Sequence, residues 1–168
     1  MTKTVNLRSF KQKLRHHRKR FKRFLSILEK KSYRGLQTIV EKLDQEVWEE
    51  TDCLTCGNCC KTMSPTFTGK DIKRISAHLK MSPKAFREKW LHYDKKDKDW
   101  MNTAQPCQFL NLKDYKCSIY EVRPADCAGF PHHTKKKFTD YIHVYKQNLD
   151  YCPATYRLIE KMMSAVKQ

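Results

Sequence analysis

Cys53-Leu-Thr-Cys56-Gly-Asn-Cys59-Cys60 places four of the chain's eight cysteines within eight residues. A thiolate is a soft, anionic metal ligand, and two-residue spacing lets successive sulfurs turn inward on one centre. Gly57 and Asn58 tolerate left-handed backbone angles and suit a tight ligand loop. The other four, Cys107, Cys117, Cys127 and Cys152, are spread over the second half of the chain. Eight thiols supply two four-thiolate sites with none left over, or one cluster and a surplus. No apolar run approaches the roughly 20 residues that span a bilayer, and no apolar segment of a secretory signal opens the chain. The expectation is a cytoplasmic, reduced protein whose cysteines serve metal rather than a disulfide framework.

Two metals use such residues differently. Three sulfurs at two-residue spacing can cap three corners of an iron–sulfur cubane that a remote cysteine completes, and Cys152-Pro153 has the Cys-Pro form of such a remote ligand. Zinc takes a two-residue-spaced pair from one loop, here Cys53 and Cys56, and a second pair from elsewhere. Adjacent Cys59 and Cys60 point in different directions, so either they serve separate centres or one is a packed thiol. Gaps of two and two, rather than three and two, argue against a radical S-adenosylmethionine site. A Cys-x-x-Cys redox pair lacks a βαβ context here. His132 and His133 read as surface or packing residues. Arg123 and Asp126, flanking Cys127, either orient ligands or form an ordinary ion pair or cap.

Charge divides the chain a second way. Residues 1–34 hold 13 Lys/Arg and one acid, Glu29, of the chain's 35 and 18, which leaves 22 basic and 17 acidic residues for the remainder. Within that arm Leu7, Phe10, Leu14, His17, Phe21, Phe24 and Leu28 recur at three- and four-residue steps, with Lys and Arg between them. This is an amphipathic helix with an apolar stripe and a broad cationic face. Its partner is nucleic acid or another anionic surface, or the face is simply solvated while the stripe packs onto the body.

Gly35 interrupts that helix, and Leu36, Ile39, Val40, Leu43 and Val47 form one face of a second. Thr68-Gly-Lys-Asp71 reads as a capping box, and Ser82-Pro83 as the start of a short helix to about Leu91. Residues 94–99 read as a solvated loop, and the stretches 107–110 and 116–120 as the strands of a small hairpin. From Phe138 to Tyr145 the pattern does not settle between helix and strand, and Cys152-Pro153 begins a terminal helix. The predicted fold is mainly α with a small β hairpin: residues 1–34 a basic amphipathic helix, residues 35–168 a compact cysteine-rich metal-binding domain.

The run Cys53-x-x-Cys56-x-x-Cys59-Cys60, then Pro106-Cys107-Gln-Phe-Leu110, then Cys117-Ser-Ile-Tyr-Glu-Val-Arg-Pro-Ala-Asp-Cys127, resembles the CxxCxxCC (YkgJ-like) cysteine-cluster family over roughly residues 50–153. The resemblance implies a zinc- or iron-chelating domain with Cys53, Cys56, Cys59, Cys60, Cys107, Cys117, Cys127 and Cys152 as metal ligands. Flagellin lysine N-methylases resemble the family in much longer chains, which makes a protein-modifying enzyme one alternative. A zinc-stabilised module with a nucleic-acid-binding arm is another. No nucleophile–base pair or nucleotide loop is legible, so enzymatic status stays open at the level of sequence.

Overall fold

The computed structural model describes residues 4–31 and 33–166; residues 1–3 and Ser32 of the basic arm lie outside them. In chain order the helices are α1 (Leu7–Lys30), α2 (Leu36–Glu50), α3 (Asn58–Thr62), α4 (Gly69–His78), α5 (Pro83–Trp90), α6 (Ala125–Gly129), α7 (Phe138–Asn148) and α8 (Pro153–Ala165). The strands are β1 (Thr66–Phe67), β2 (Leu91–Asp94) and β3 (Asp99–Asn102). The protein is mainly helical with a small antiparallel sheet. It divides into a terminal unit, Met1–Cys56 with Pro131–Gln168, and a central unit, Gly57–Phe130.

In the terminal unit the Asn6 side chain caps α1 by accepting from the Ser9 amide. Phe10, Phe21, Phe24, Leu25 and Leu28 are buried, and α1 packs on α7 and α8. Tyr156 of α8 takes the edge of Phe10 at 5.9 Å and lies 5.0 Å from Phe21, ring to ring. Its hydroxyl is 2.6 Å from His17 Nδ1. Asp150 accepts from Arg18 and Lys22 at 2.6–2.8 Å, and Glu29 from Lys146 at 2.6 Å. Five buried apolar side chains, each contributing roughly 1.5–3 kcal/mol, anchor this helix firmly.

Gly35, at φ 76°, turns the chain into α2, which packs on α8. Leu36, Val40 and Val47 of the anticipated face are buried, and so is Asp44, a carboxylate that periodicity does not announce. The ambiguous stretch from Phe138 resolves as helix α7, because Phe138, Ile142 and Tyr145 fall at helical spacing and are all buried.

The central unit has its own core of Phe67, Ile72, Ile75, Phe86, Leu91, Phe109 and Ile119. Phe86 and Phe109 stack nearly parallel at 6.2 Å. Thr68 and Asp71 form the anticipated capping box on α4, and Ser82 accepts from the Ala85 amide at the start of α5.

The sheet corrects the position of the hairpin. Its strand order is β1-β3-β2, with Leu91 opposite Asn102 and Asp94 opposite Asp99. The charged stretch 94–99, expected to be only a solvated loop, is the turn of this hairpin. Asp94 Oδ1 accepts the Lys96 and Asp97 amides, and Lys98 takes a left-handed φ of 57°. Tyr93 and Trp100 pair across the strands at 5.3 Å. The stretches 107–110 and 116–120 contribute only one antiparallel bridge, Leu110 to Cys117. A tight turn ends their pairing: the Asn111 amide donates to the Lys116 carbonyl and the Tyr115 amide to that of Asn111.

Candidate metal centre

All eight cysteines are free thiols. The division of the chain falls inside the cysteine run: Cys53, Cys56 and Cys152 belong to the terminal unit, and Cys59, Cys60, Cys107, Cys117 and Cys127 to the central one.

In the central unit three short segments carry the cysteines: α3 holds Cys59 and Cys60, the 107–117 turn holds Cys107 and Cys117, and α6 holds Cys127. Gly57 enters α3 at φ 57°, and a Cβ there would come within 3.1 Å of Tyr115 Cβ. The position therefore requires glycine twice over, for backbone angle and for space. Asn58, expected to share that left-handed turn, instead begins the helix and is buried. One turn of α3 then carries Cys59 and Cys60, whose sulfurs lie 3.9 Å apart. The Cys107 amide donates to the Cys60 carbonyl at 2.8 Å, fastening the second segment to the first. Cys117 sits on the bridge to Leu110, and the Ser118 amide donates to the Phe109 carbonyl at 2.8 Å. Cys127 lies in α6.

The electrostatics of these groups show their mutual proximity. Burial pushes the Cys127 thiol up, and the charges of Cys60, Cys107 and Cys117 push it further. Cys117 is raised by burial and then by Cys107 and Cys60, against the Ile119 amide, which favours its thiolate. Cys107 is likewise raised by burial, while the Phe109 and Leu110 amides and Asn102 favour the anion. Cys60 goes the other way, to about 7, chiefly because Cys59 hydrogen-bonds its sulfur. Three half-buried thiols whose anions are disfavoured by burial and by neighbouring thiolates, beside one whose anion is favoured, are a set whose charge logic a bound cation reverses. Backbone amides aimed at the sulfurs add a ligand loop's hydrogen bonding. By donor chemistry the set fits zinc or iron. Among the described residues, no three His, Cys, Asp or Glu side chains are already closed around a single point.

Of the supporting residues, Asp71, Arg123 and Asp126 are legible in the sequence, but Asn102 carries no motif. Asn102, at the end of β3, donates through Nδ2 to Cys107 Sγ at 3.4 Å. It is itself fixed by Ser64 Oγ, which accepts its amide, and by Gln108 Nε2, which donates to its Oδ1. Asp71, 1% exposed, accepts from Thr68, from Arg74 and from the Ala125 amide, so α4 holds the first residue of the cysteine-bearing α6. Burial alone would raise the Asp71 carboxyl, but these donors hold it below its ordinary value. Asp126 accepts the Thr66 amide of β1 at 3.1 Å, and Arg123 donates to the Tyr120 carbonyl while lying over the Tyr120 ring.

In the terminal unit Cys53 and Cys56 share a 3₁₀ turn, the Cys56 amide donating to the Cys53 carbonyl at 3.1 Å. Cys152 immediately precedes α8. Burial pushes its thiol up to about 11, with the charge of Cys56 adding to the rise and the Thr155 and Ala154 amides opposing it. Its side chain makes no full capping bond. One turn further on, Thr155 Oγ1 lies 2.8 Å from His133 Nε2, and His133 Nδ1 lies 2.6 Å from Asp44 Oδ1. The Tyr145 hydroxyl donates to the His133 carbonyl, and the Tyr145 ring stacks on the imidazole at 5.1 Å. His133 is thus a packed, fully partnered histidine. Its neighbour His132 occupies a left-handed turn at φ 62°.

The chain matches the CxxCxxCC family, described as "Putative zinc- or iron-chelating domain", over residues 52–153, a span holding all eight cysteines. The chain belongs to the CxxCxxCC family. A curated relative of the same chain is an uncharacterised protein of Methanocaldococcus jannaschii, 32% identical over 81 residues. That alignment covers 48% of this chain and 43% of the relative, so the chain spans less than half the length of the relative it matches. No solved structure matches. Among the described residues, no helix is long and apolar enough to cross a membrane.

Proposed function

We propose that this CxxCxxCC protein is a metal-binding protein whose central unit holds zinc or iron on the thiolates of Cys60, Cys107, Cys117 and Cys127. The observation that carries the reading is that backbone bonds tie the cysteine-bearing segments together, the Cys107 amide to the Cys60 carbonyl at 2.8 Å and Leu110 to Cys117, while burial and neighbouring thiols raise Cys107, Cys117 and Cys127. Bound metal would supply the positive charge that the four anions need and would cross-link α3, the 107–117 turn and α6. Cys53, Cys56 and Cys152 are the thiols available to a second metal in the terminal unit. The role is structural or redox according to the metal, since zinc has no redox chemistry and iron does.

Anaerobic purification followed by zinc, iron and acid-labile sulfide analysis tests this reading. The expected result is at least one zinc or iron per chain. Cys117→Ser and Cys127→Ser should each lower the metal content and the thermal midpoint together, because ligand binding is coupled to folding. Wild-type protein without zinc or iron, or both variants at full occupancy and unchanged midpoint, would refute it. Sulfide in stoichiometric amount would assign an iron–sulfur cluster, and its absence a mononuclear site.

The basic arm supports a second reading, contact with an anionic partner, because its cationic face stays exposed while its apolar stripe is buried.

A further inference from the structure

Eight cations of α1, namely Arg8, Lys11, Lys13, Arg15, Lys19, Arg20, Arg23 and Lys30, are exposed, and among the described residues none is held in an ion pair. Four of them, Lys11, Arg15, Lys19 and Arg23, recur at every fourth residue. At 1.5 Å per residue they form a ridge of positive charges about 6 Å apart. Lys13 and Arg20 lie to one side of that ridge, so the charges spread over a broad arc of the helix. Asp150 and Glu29, the acids of the terminal unit that pair with or lie on this helix, are taken up by Arg18, Lys22 and Lys146. Among the described residues these cations have no ion-pair partner, and together they form a positive field that an external polyanion complements.

Two observations choose among anionic partners. An amphipathic helix that lies in a membrane surface buries its apolar face in the lipid. Here that face is already covered: Phe10, Phe21, Phe24, Leu25 and Leu28 pack within the terminal unit. Single-stranded nucleic acid is held largely by stacking on exposed aromatic rings. The aromatic residues of α1, Phe10, Phe21 and Phe24, are all buried, and its exposed face carries Lys, Arg, Gln and His with one acid, Glu29, near its end. What is left is a rigid rod of charge without stacking or insertion groups. A B-form major groove about 12 Å wide admits such a helix, with phosphates along both edges, whereas the A-form groove is too narrow. We propose that the exposed face of α1 binds the phosphate backbone of double-stranded DNA independently of sequence.

The test uses the full chain as purified and a fluorescent 20-base-pair DNA duplex, in two unrelated sequences, titrated at several salt concentrations. Matched arms contain an RNA duplex, single-stranded DNA and phosphatidylserine vesicles. Both DNA sequences should bind alike, with log K falling against log salt at a slope of about −5 to −6. Lys11→Gln/Arg15→Gln/Lys19→Gln/Arg23→Gln, at exposed positions, should retain the helical circular dichroism and lose about 3 to 4 of that slope. Lys95→Gln/Lys96→Gln, in the β2–β3 turn, controls for net charge and should change the slope by less than about 1. An unchanged slope in the four-site variant, or an equal loss in the control, would overturn the proposal. So would preferential binding to the RNA duplex, the single strand or the vesicles.

Discussion

His133 shows how a residue acquires meaning from its surroundings. In sequence it is half of a His-His pair beside the later cysteines and reads as a surface or packing residue. In the fold both its ring nitrogens are engaged, by Asp44 and Thr155, and its side chain is 2% exposed. Replacing it with leucine strands the Asp44 carboxylate in the core and should cost about 3 kcal/mol or more. Asp44→Leu/His133→Leu removes both polar partners and should cost less than the sum of the two single changes. Urea unfolding of the four proteins in this cycle measures the coupling, and simple additivity would contradict a shared buried pair.

At the level of elements, the central unit depends on short segments being tied to one another. Two-stranded pairing and one-turn helices have little stability of their own. Asp71 is the clearest tie, since one carboxylate accepts the Thr68 amide that caps α4 and also the first amide of α6. Asp71→Ala leaves the Thr68 and Ala125 amides without their acceptor and should destabilise the protein by about 2–3 kcal/mol. If α6 is positioned through this bond, the variant should also hold its metal less tightly in a chelator competition. Full stability together with wild-type chelator resistance would show that α6 is held otherwise. The capping box is legible from Thr68 and Asp71 alone, but the bond to Ala125 is not, because it joins residues 54 apart in sequence.

For the molecule as a whole, the basic arm is part of the terminal unit's framework rather than a detached tail. Asp150, beyond α7, is the anchor for its charges. Hydrogen bonds from Arg18 first, and then Lys22, hold the Asp150 carboxyl below its ordinary value against the effect of burial. A depressed carboxyl stabilises the folded state above the unfolded value of about 3.9 and loses that contribution as pH falls through the lower folded value. The difference in urea midpoint between wild type and Asp150→Asn should therefore be constant above about pH 5 and shrink steadily towards pH 2. A difference independent of pH would assign the effect to packing instead.

The sequence by itself determined the eight-cysteine family motif, the mainly helical class and the two faces of α1. Those properties follow from residue type and from 3.6-residue periodicity, both of which are local. The tertiary structure alone decided how the eight thiols are shared out. Gly57 and the turn into α3 divide the cysteine run, leaving Cys53 and Cys56 in the unit of Cys152 and Cys60 in that of Cys107, Cys117 and Cys127. It also moved the hairpin to 91–102, where Tyr93 and Trp100 pair across the strands. Such choices depend on which distant segments share a core, and spacing along the chain carries no record of that.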